Sequence, residues 1–146
     1  MTTAKYQKQW RALHPGRQRI YARRWRRKHL KKATAISNSY YAKNVVKIRV
    51  RTRKSDLKIK REVLTHYSSK GRLCCSWHAC SVSDLDMLSL DHTKNDGAEA
   101  RRAGEGGGIS LFRFLRKRGY PKGYQTLCHN HQWKKEILYR RAVGIK

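Results

Sequence analysis

The sequence predicts an α+β protein, with a small domain of short strands and helices over residues 55–146 behind a basic arm over residues 1–54 that is helical or partly disordered. Three observations carry this reading. Charge is divided unevenly along the chain, cysteines and histidines gather at two places in its C-terminal part, and the short apolar runs there alternate between strand-like and helix-like spacing.

With 146 residues, 38% of them hydrophobic and 31% charged, the chain has apolar material for one modest core and an arm. A net charge of +27 is far more than solubility requires and points to a polyanionic partner. Residues 1–55 hold 18 Lys and Arg and no acid, the first being Asp56. A membrane partner would require an apolar face or a spanning run of about 20 residues, and neither is present. The N-terminus lacks the apolar segment of a secretory signal, so the expected location is inside a cell. Thiols stay reduced there, and clustered cysteines hold metal more often than they form disulfides.

Within the arm, YQKQWRALHP (6–15) and YARRWRRKHL (21–30) align at a period of 15 residues, Tyr6 on Tyr21 and Trp10 on Trp25. Tyr and Trp four apart share a helical face, so each unit reads as a short helix with an aromatic stripe, separated from the next at His14-Pro15-Gly16. A tail of this composition neutralises phosphates, with Arg23, Arg24, Arg26 and Arg27 as the expected contacts. Residues 33–54 read as a polar link followed by NVVKIRVRTRK, a strand or an extended groove-tracking segment. Ser55 then resembles an N-cap opening an amphipathic helix with Leu57, Ile59, Val63 and Leu64 on one face, ending before Ser68-Ser69-Lys70-Gly71.

Beyond it, RLCCSWHAC and MLSLDH read as two short strands around a cysteine-bearing turn. NDGAEARRAGEGGG reads as a glycine-rich loop, ISLFRFLRKRG as a helix closed by Gly119, and GYPKGYQTLC as a turn and strand. NHQWKKEILYRRA closes the domain as an amphipathic helix bearing Trp133, Ile137 and Leu138.

Zinc takes a tetrahedral set of Cys and His ligands, usually as two close pairs from separate turns. Cys128 and His131 form a C-x-x-H pair at a strand-to-helix junction. The partner pair comes from Cys74, Cys75, His78 and Cys80, with Cys75 and Cys80 expected and His78 in reserve. Asp91-His92 closes the apolar segment MLSL, where a strand can hold a reactive group steady. Phosphodiester hydrolysis needs a base to activate water and a cation to offset phosphate charge, and a His beside a carboxylate supplies the residues for both.

The series C-x4-C, LSLDH, NDG, a glycine-rich loop, a short helix and YPKGYQTLCHNHQWKK, spanning roughly residues 56–140, resembles the HNH endonucleases of phage and mobile-element type. The resemblance implies a ββα-metal (His-Me) finger: a strand pair and a helix around one catalytic divalent ion, Mg2+ or Mn2+, often with a structural Zn2+ alongside. It implies His92 as general base and Asp91 as first ligand of the catalytic ion. The further ligand falls where the family has Asn or His and this chain has Gln132, with Asn130 as the alternative. Lys94, Arg101, Arg102 and Lys134 join the arm as expected phosphate contacts. The implied activity is that of a homing-type DNA endonuclease acting on duplex DNA, one active centre per chain making a nick, with no obligate protein partner. Composition alone also suits a zinc-containing ribosomal or nucleoprotein component, though a purely structural knuckle has no need of the Asp91-His92 pair. Gln132, and Ala100 where relatives often show a His, motivate a third reading, an HNH-like DNA-binding protein of weak or no activity.

Overall fold

The structure is a computed structural model that describes residues 3–144. The chain divides into two compact units, Met1–Val50 and Arg51–Lys146. No helix among the described residues is long and apolar enough to cross a membrane.

The first unit holds α1 (Thr3–Leu13), α2 (Arg17–Lys28) and the opening turns of α3 (Leu30–His66). The break between α1 and α2 falls at His14-Pro15-Gly16, as the sequence predicts; Pro15 lacks a backbone donor, and Gly16 takes φ 87°, which a side chain would oppose. The 15-residue repeat becomes a repeated Trp–His pair one helical turn apart. Trp10 stacks on His14 at 4.6 Å, and Trp25 lies tilted against His29 at 5.1 Å. No described side chain of α1 or α2 is buried, so these helices contribute surface and no core.

Residues 33–54 are neither strand nor extended link. They lie inside α3, which runs unbroken for 37 residues, and Ser55 is an exposed mid-helix residue instead of a cap. The physical reason is visible in the chain: no glycine or proline occurs between Gly16 and Gly71. Each β-branched residue of NVVKIRVRTRK costs only a few tenths of a kcal/mol in a helix, too little to stop one lacking a breaker. The Asn44 amide, a common competitor for backbone groups, instead donates to the Tyr40 carbonyl one turn back at 2.9 Å.

In the second unit the end of α3 buries Ile59, Val63 and Leu64. An irregular segment follows, then β1 (Leu88–His92), α4 (Gly97–Arg102), α5 (Ile109–Lys117), β2 (Tyr124–Cys128) and α6 (His129–Ala142). The two strands form one antiparallel ladder, pairing Leu88 with Cys128 at one end and His92 with Tyr124 at the other. RLCCSWHAC is a compact loop and no strand; its groups are satisfied by Cys75 N–H to Val82 O at 2.9 Å, Ser76 N–H to Thr126 O at 2.8 Å and Cys80 N–H to Trp77 O at 3.1 Å. The glycine-rich stretch contains the short helix α4 where a loop was expected. α5 closes as predicted, with Gly119 at φ 71° and the Tyr120 N–H reaching the Leu115 carbonyl at 3.0 Å.

Two side-chain groups make the core. Leu64, Leu88 and Leu127 pack with Cys75, Cys80 and Cys128, while Ile59 and Val63 pack with Leu115; Leu90 and Phe112 touch both groups. Thr126, fully buried, binds β2 to the end of α3: its hydroxyl donates to the Leu64 carbonyl at 2.7 Å and its N–H to the Tyr67 carbonyl at 3.1 Å. Burial also pushes the Tyr67 phenol up to about 12, so its hydroxyl stays protonated to donate to the Pro121 carbonyl at 2.8 Å. α6 departs from the amphipathic expectation. None of its residues is buried, and Trp133 is 72% exposed.

Truncating Leu64 to Ala is expected to cost about 2–5 kcal/mol in urea unfolding of the zinc-loaded protein. Val46→Ala, at a residue 71% exposed, is expected to change stability by less than about 0.5 kcal/mol.

Candidate functional site

Cys75 and Cys80 come from the compact loop before β1, Cys128 from the last position of β2, and His131 from the first turn of α6. One ligand atom from each lies within 4.8 Å of every other. The His131 Nδ1 is 3.1 Å from the Cys128 Sγ and 3.6 Å from the Cys75 Sγ. Bond lengths of roughly 2.3 Å to sulfur and 2.0 Å to nitrogen around a tetrahedral zinc put ligand atoms about 3.5–3.8 Å apart. The set therefore fits a structural metal such as zinc, and it is the set the spacing predicts. Cys74 is excluded from it, its thiol sitting 3.4 Å from the Ser68 hydroxyl, and His78 is exposed. Trp77 stacks flat on His131 at 4.9 Å and 13°, fixing the imidazole plane.

Electrostatics inside the cluster are uneven. Burial pushes the Cys75 thiol up to about 11, although the Cys128 N–H donates to its sulfur at 3.2 Å. The Val82 N–H draws the Cys80 thiol down. A metal entering this site displaces a proton from the Cys75 thiol, which would otherwise keep it at neutral pH.

At the other end of the ladder, a cleft of about 830 Å³ is lined by Asp91, His92, Gly97, Arg101, Glu105 and Gln132 among others. The His92 Nε2 lies 2.8 Å from the Glu105 Oε2, both side chains being largely withdrawn from water. A carboxylate only accepts, so Nε2 carries the hydrogen and Nδ1 is the nitrogen left for proton transfer. Glu105 is braced in turn by the Tyr124 hydroxyl, which donates to its second oxygen; burial followed by this bond pushes the Tyr124 phenol well above its usual range. The Nδ1 edge faces Gly97 so closely that a Cβ there would lie 2.9 Å from it. Gly97 has an ordinary φ, so the requirement for glycine is proximity to His92.

Asp91, 9% exposed, takes two donors on the same oxygen: the amide of its cross-strand partner Gln125 at 2.8 Å and the ammonium of Lys135, from α6, at 2.6 Å. Lys135 also donates to the His92 carbonyl. The Gln132 carbonyl oxygen accepts from the Ser89 hydroxyl at 2.8 Å, and Asn130 is exposed on the first turn of α6. The Asp91 carboxylate is thus partly desolvated and neutralised by the Lys135 ammonium.

Of the remaining predicted contacts, Arg101 lines the cleft and Arg102 is exposed beside it on α4. Lys94 is exposed beyond β1, and Lys134 lies over the Trp77 ring at 5.8 Å. Arg23, Arg24, Arg26 and Arg27 are all exposed on α2. Sequence reasoning missed Glu105, Tyr124, Gln125, Lys135 and Gly97. The usable signal was at Glu105, an acid set directly between Gly104 and Gly106 in a glycine-rich stretch.

Cys128→Ser is expected to remove most of the bound zinc, measured by elemental analysis of the purified protein, and to lower Tm. Cys74→Ser should leave zinc content unchanged, and His92→Ala should leave zinc and fold intact; equal zinc loss in all three would discard this ligand set. No protein-family model, curated protein or solved structure matches this chain.

Proposed function

We propose that the chain is a metal-dependent DNA endonuclease of the HNH type, its second unit a ββα-metal finger and its first a duplex-binding arm. The observation that carries this is the state of His92. Its Nε2–H is committed to Glu105, its Nδ1 edge lies against Gly97 with no room for a Cβ between them, and it lines one cleft with Asp91.

In this reading His92 takes a proton from the attacking water through Nδ1, while Glu105 holds the ring and stabilises the imidazolium that forms. Magnesium or manganese, held by Asp91 with Gln132 or Asn130 as further donor, would offset charge building on the scissile phosphate. Arg101 lines the cleft and Arg102 and Lys94 flank it, suited to the neighbouring phosphates. On α2, Arg23 and Arg27 stand one turn apart, as do Arg24 and Arg27 within three residues. Like charges so spaced each cost a helix about 0.2–0.5 kcal/mol without a polyanion, which favours a phosphate backbone as the occupant. One active centre per chain makes nicking the expected outcome, in a cellular compartment that holds DNA. The bond that Ser89 makes to the Gln132 oxygen favours a second reading, a DNA-binding protein of weak or no turnover.

With supercoiled plasmid and Mg2+ or Mn2+, the wild-type chain should produce open circles. His92→Ala should lower the rate by about 10²–10⁴-fold with DNA binding unchanged. Intact plasmid under both ions, with binding retained, selects the second reading. Gly97→Ala should depress cleavage by displacing the imidazole, measured as lower kcat at unchanged affinity for DNA. Replacing Arg23, Arg24, Arg26 and Arg27 together by Gln should flatten the plot of log affinity against log salt by up to about 3.6, roughly 0.9 for each phosphate no longer neutralised.

A further inference from the structure

Lys135 is the cation drawn to Asp91, and its position has a consequence for metal loading. Its ammonium lies 2.6 Å from the Asp91 Oδ2, with the two side chains 16% and 12% exposed. It also donates to the His92 carbonyl, so it bridges both residues of the Asp-His pair from α6. Gln125 donates to the same carboxylate oxygen at 2.8 Å. A carboxylate this far withdrawn from water is strongly disfavoured without a partner charge, and Lys135 supplies one in the metal-free state. A divalent ion bound to the same carboxylate would lie within a few ångströms of the ammonium, and like charges that close in a partly desolvated site repel strongly.

We propose that Lys135 is a built-in counter-cation of Asp91 that a divalent ion must displace, so that metal loading and release of the Lys135 ammonium are a single exchange. This rests on the reading of Asp91 as a metal ligand. It makes the metal-free site electrically quiet and stable, and it lowers divalent affinity by the free energy of the ion pair. The flexible four-carbon stem of Lys lets the freed ammonium swing away while staying tethered beside the cleft.

The test is a calorimetric titration of the zinc-loaded full chain with Mn2+. Lys135→Met should bind Mn2+ about ten-fold more tightly than wild type, the effect of removing a competing charge worth one decade. Lys135→Arg, which keeps the cation, should bind no more tightly than wild type, and Asp91→Asn should lose the binding. Zinc content and circular dichroism of each variant report whether it has folded. If Lys135→Met does not fold, the wild-type chain answers alone: its Lys135 ammonium proton resonance, protected by the ion pair, should disappear as Mg2+ saturates the site. A folded Lys135→Met with unchanged Mn2+ affinity, or an ammonium resonance that survives Mg2+ saturation, overturns the exchange while leaving Asp91 as ligand. Equal Mn2+ affinity in wild type and Asp91→Asn overturns the reading of Asp91 itself, and the exchange with it.

Discussion

Three buried thiols and an imidazole drawn within 4.8 Å of one another give little back unless a metal bonds to them. Cys75, Cys80 and Cys128 belong to the same packed group as Leu64, Leu88 and Leu127, so the knuckle lies inside the core of the second unit. A core with so few large apolar side chains is marginal, and in such domains metal-binding free energy is folding free energy. The cluster brings together the loop before β1 and the junction of β2 and α6, beside the segment where Thr126 binds β2 to the end of α3, so a metal held there would also fix that geometry.

The cleft at the far end of the ladder is organised around scarcity of negative charge. Nine acids face 36 cations along the chain, and those of the cleft are engaged: Asp91 by Lys135 and Gln125, Glu105 by His92 and Tyr124, and Glu136 by Arg140. Both residues of the Asp-His pair are braced by their cross-strand partners, Gln125 under Asp91 and Tyr124 against His92 at 4.8 Å. Adjacent strand residues send side chains to opposite faces, so Asp91 meets α6 while His92 meets the glycine-rich segment. The pair is supported from two sides by groups distant in sequence.

Much of this was legible in the residues. The metal-binding candidates were in part: Cys128 and His131 follow from their C-x-x-H spacing, while Cys74, Cys75, His78 and Cys80 left several choices for the other pair, which only the fold narrows to Cys75 and Cys80. Asp91 and His92 stood out through their position after an apolar run. The strand reading of NVVKIRVRTRK failed because apolar-basic alternation resembles a pleat, while the evidence for helix was an absence of breakers from Gly16 to Gly71. Lys135 was hidden among many lysines, since only the fold selects which ammonium meets a carboxylate 44 residues earlier. Gly97 was hidden in a run of glycines whose loop character explained it too easily. The requirement at that position is the approach of His92, a three-dimensional fact with no local signature.

The ladder itself runs from a ligand to the cleft: Cys128 lies opposite Leu88 at one end and Tyr124 opposite His92 at the other. Side chains along a strand alternate with a period of two, so a one-residue slip turns every one of them to the other face. Deleting a single residue within either strand would therefore disturb the knuckle and the cleft in one stroke, with no repair available from loop rearrangement. The segments between the strands have no register of this kind, and a change of length there is tolerated wherever it leaves Gly97 and Glu105 against His92.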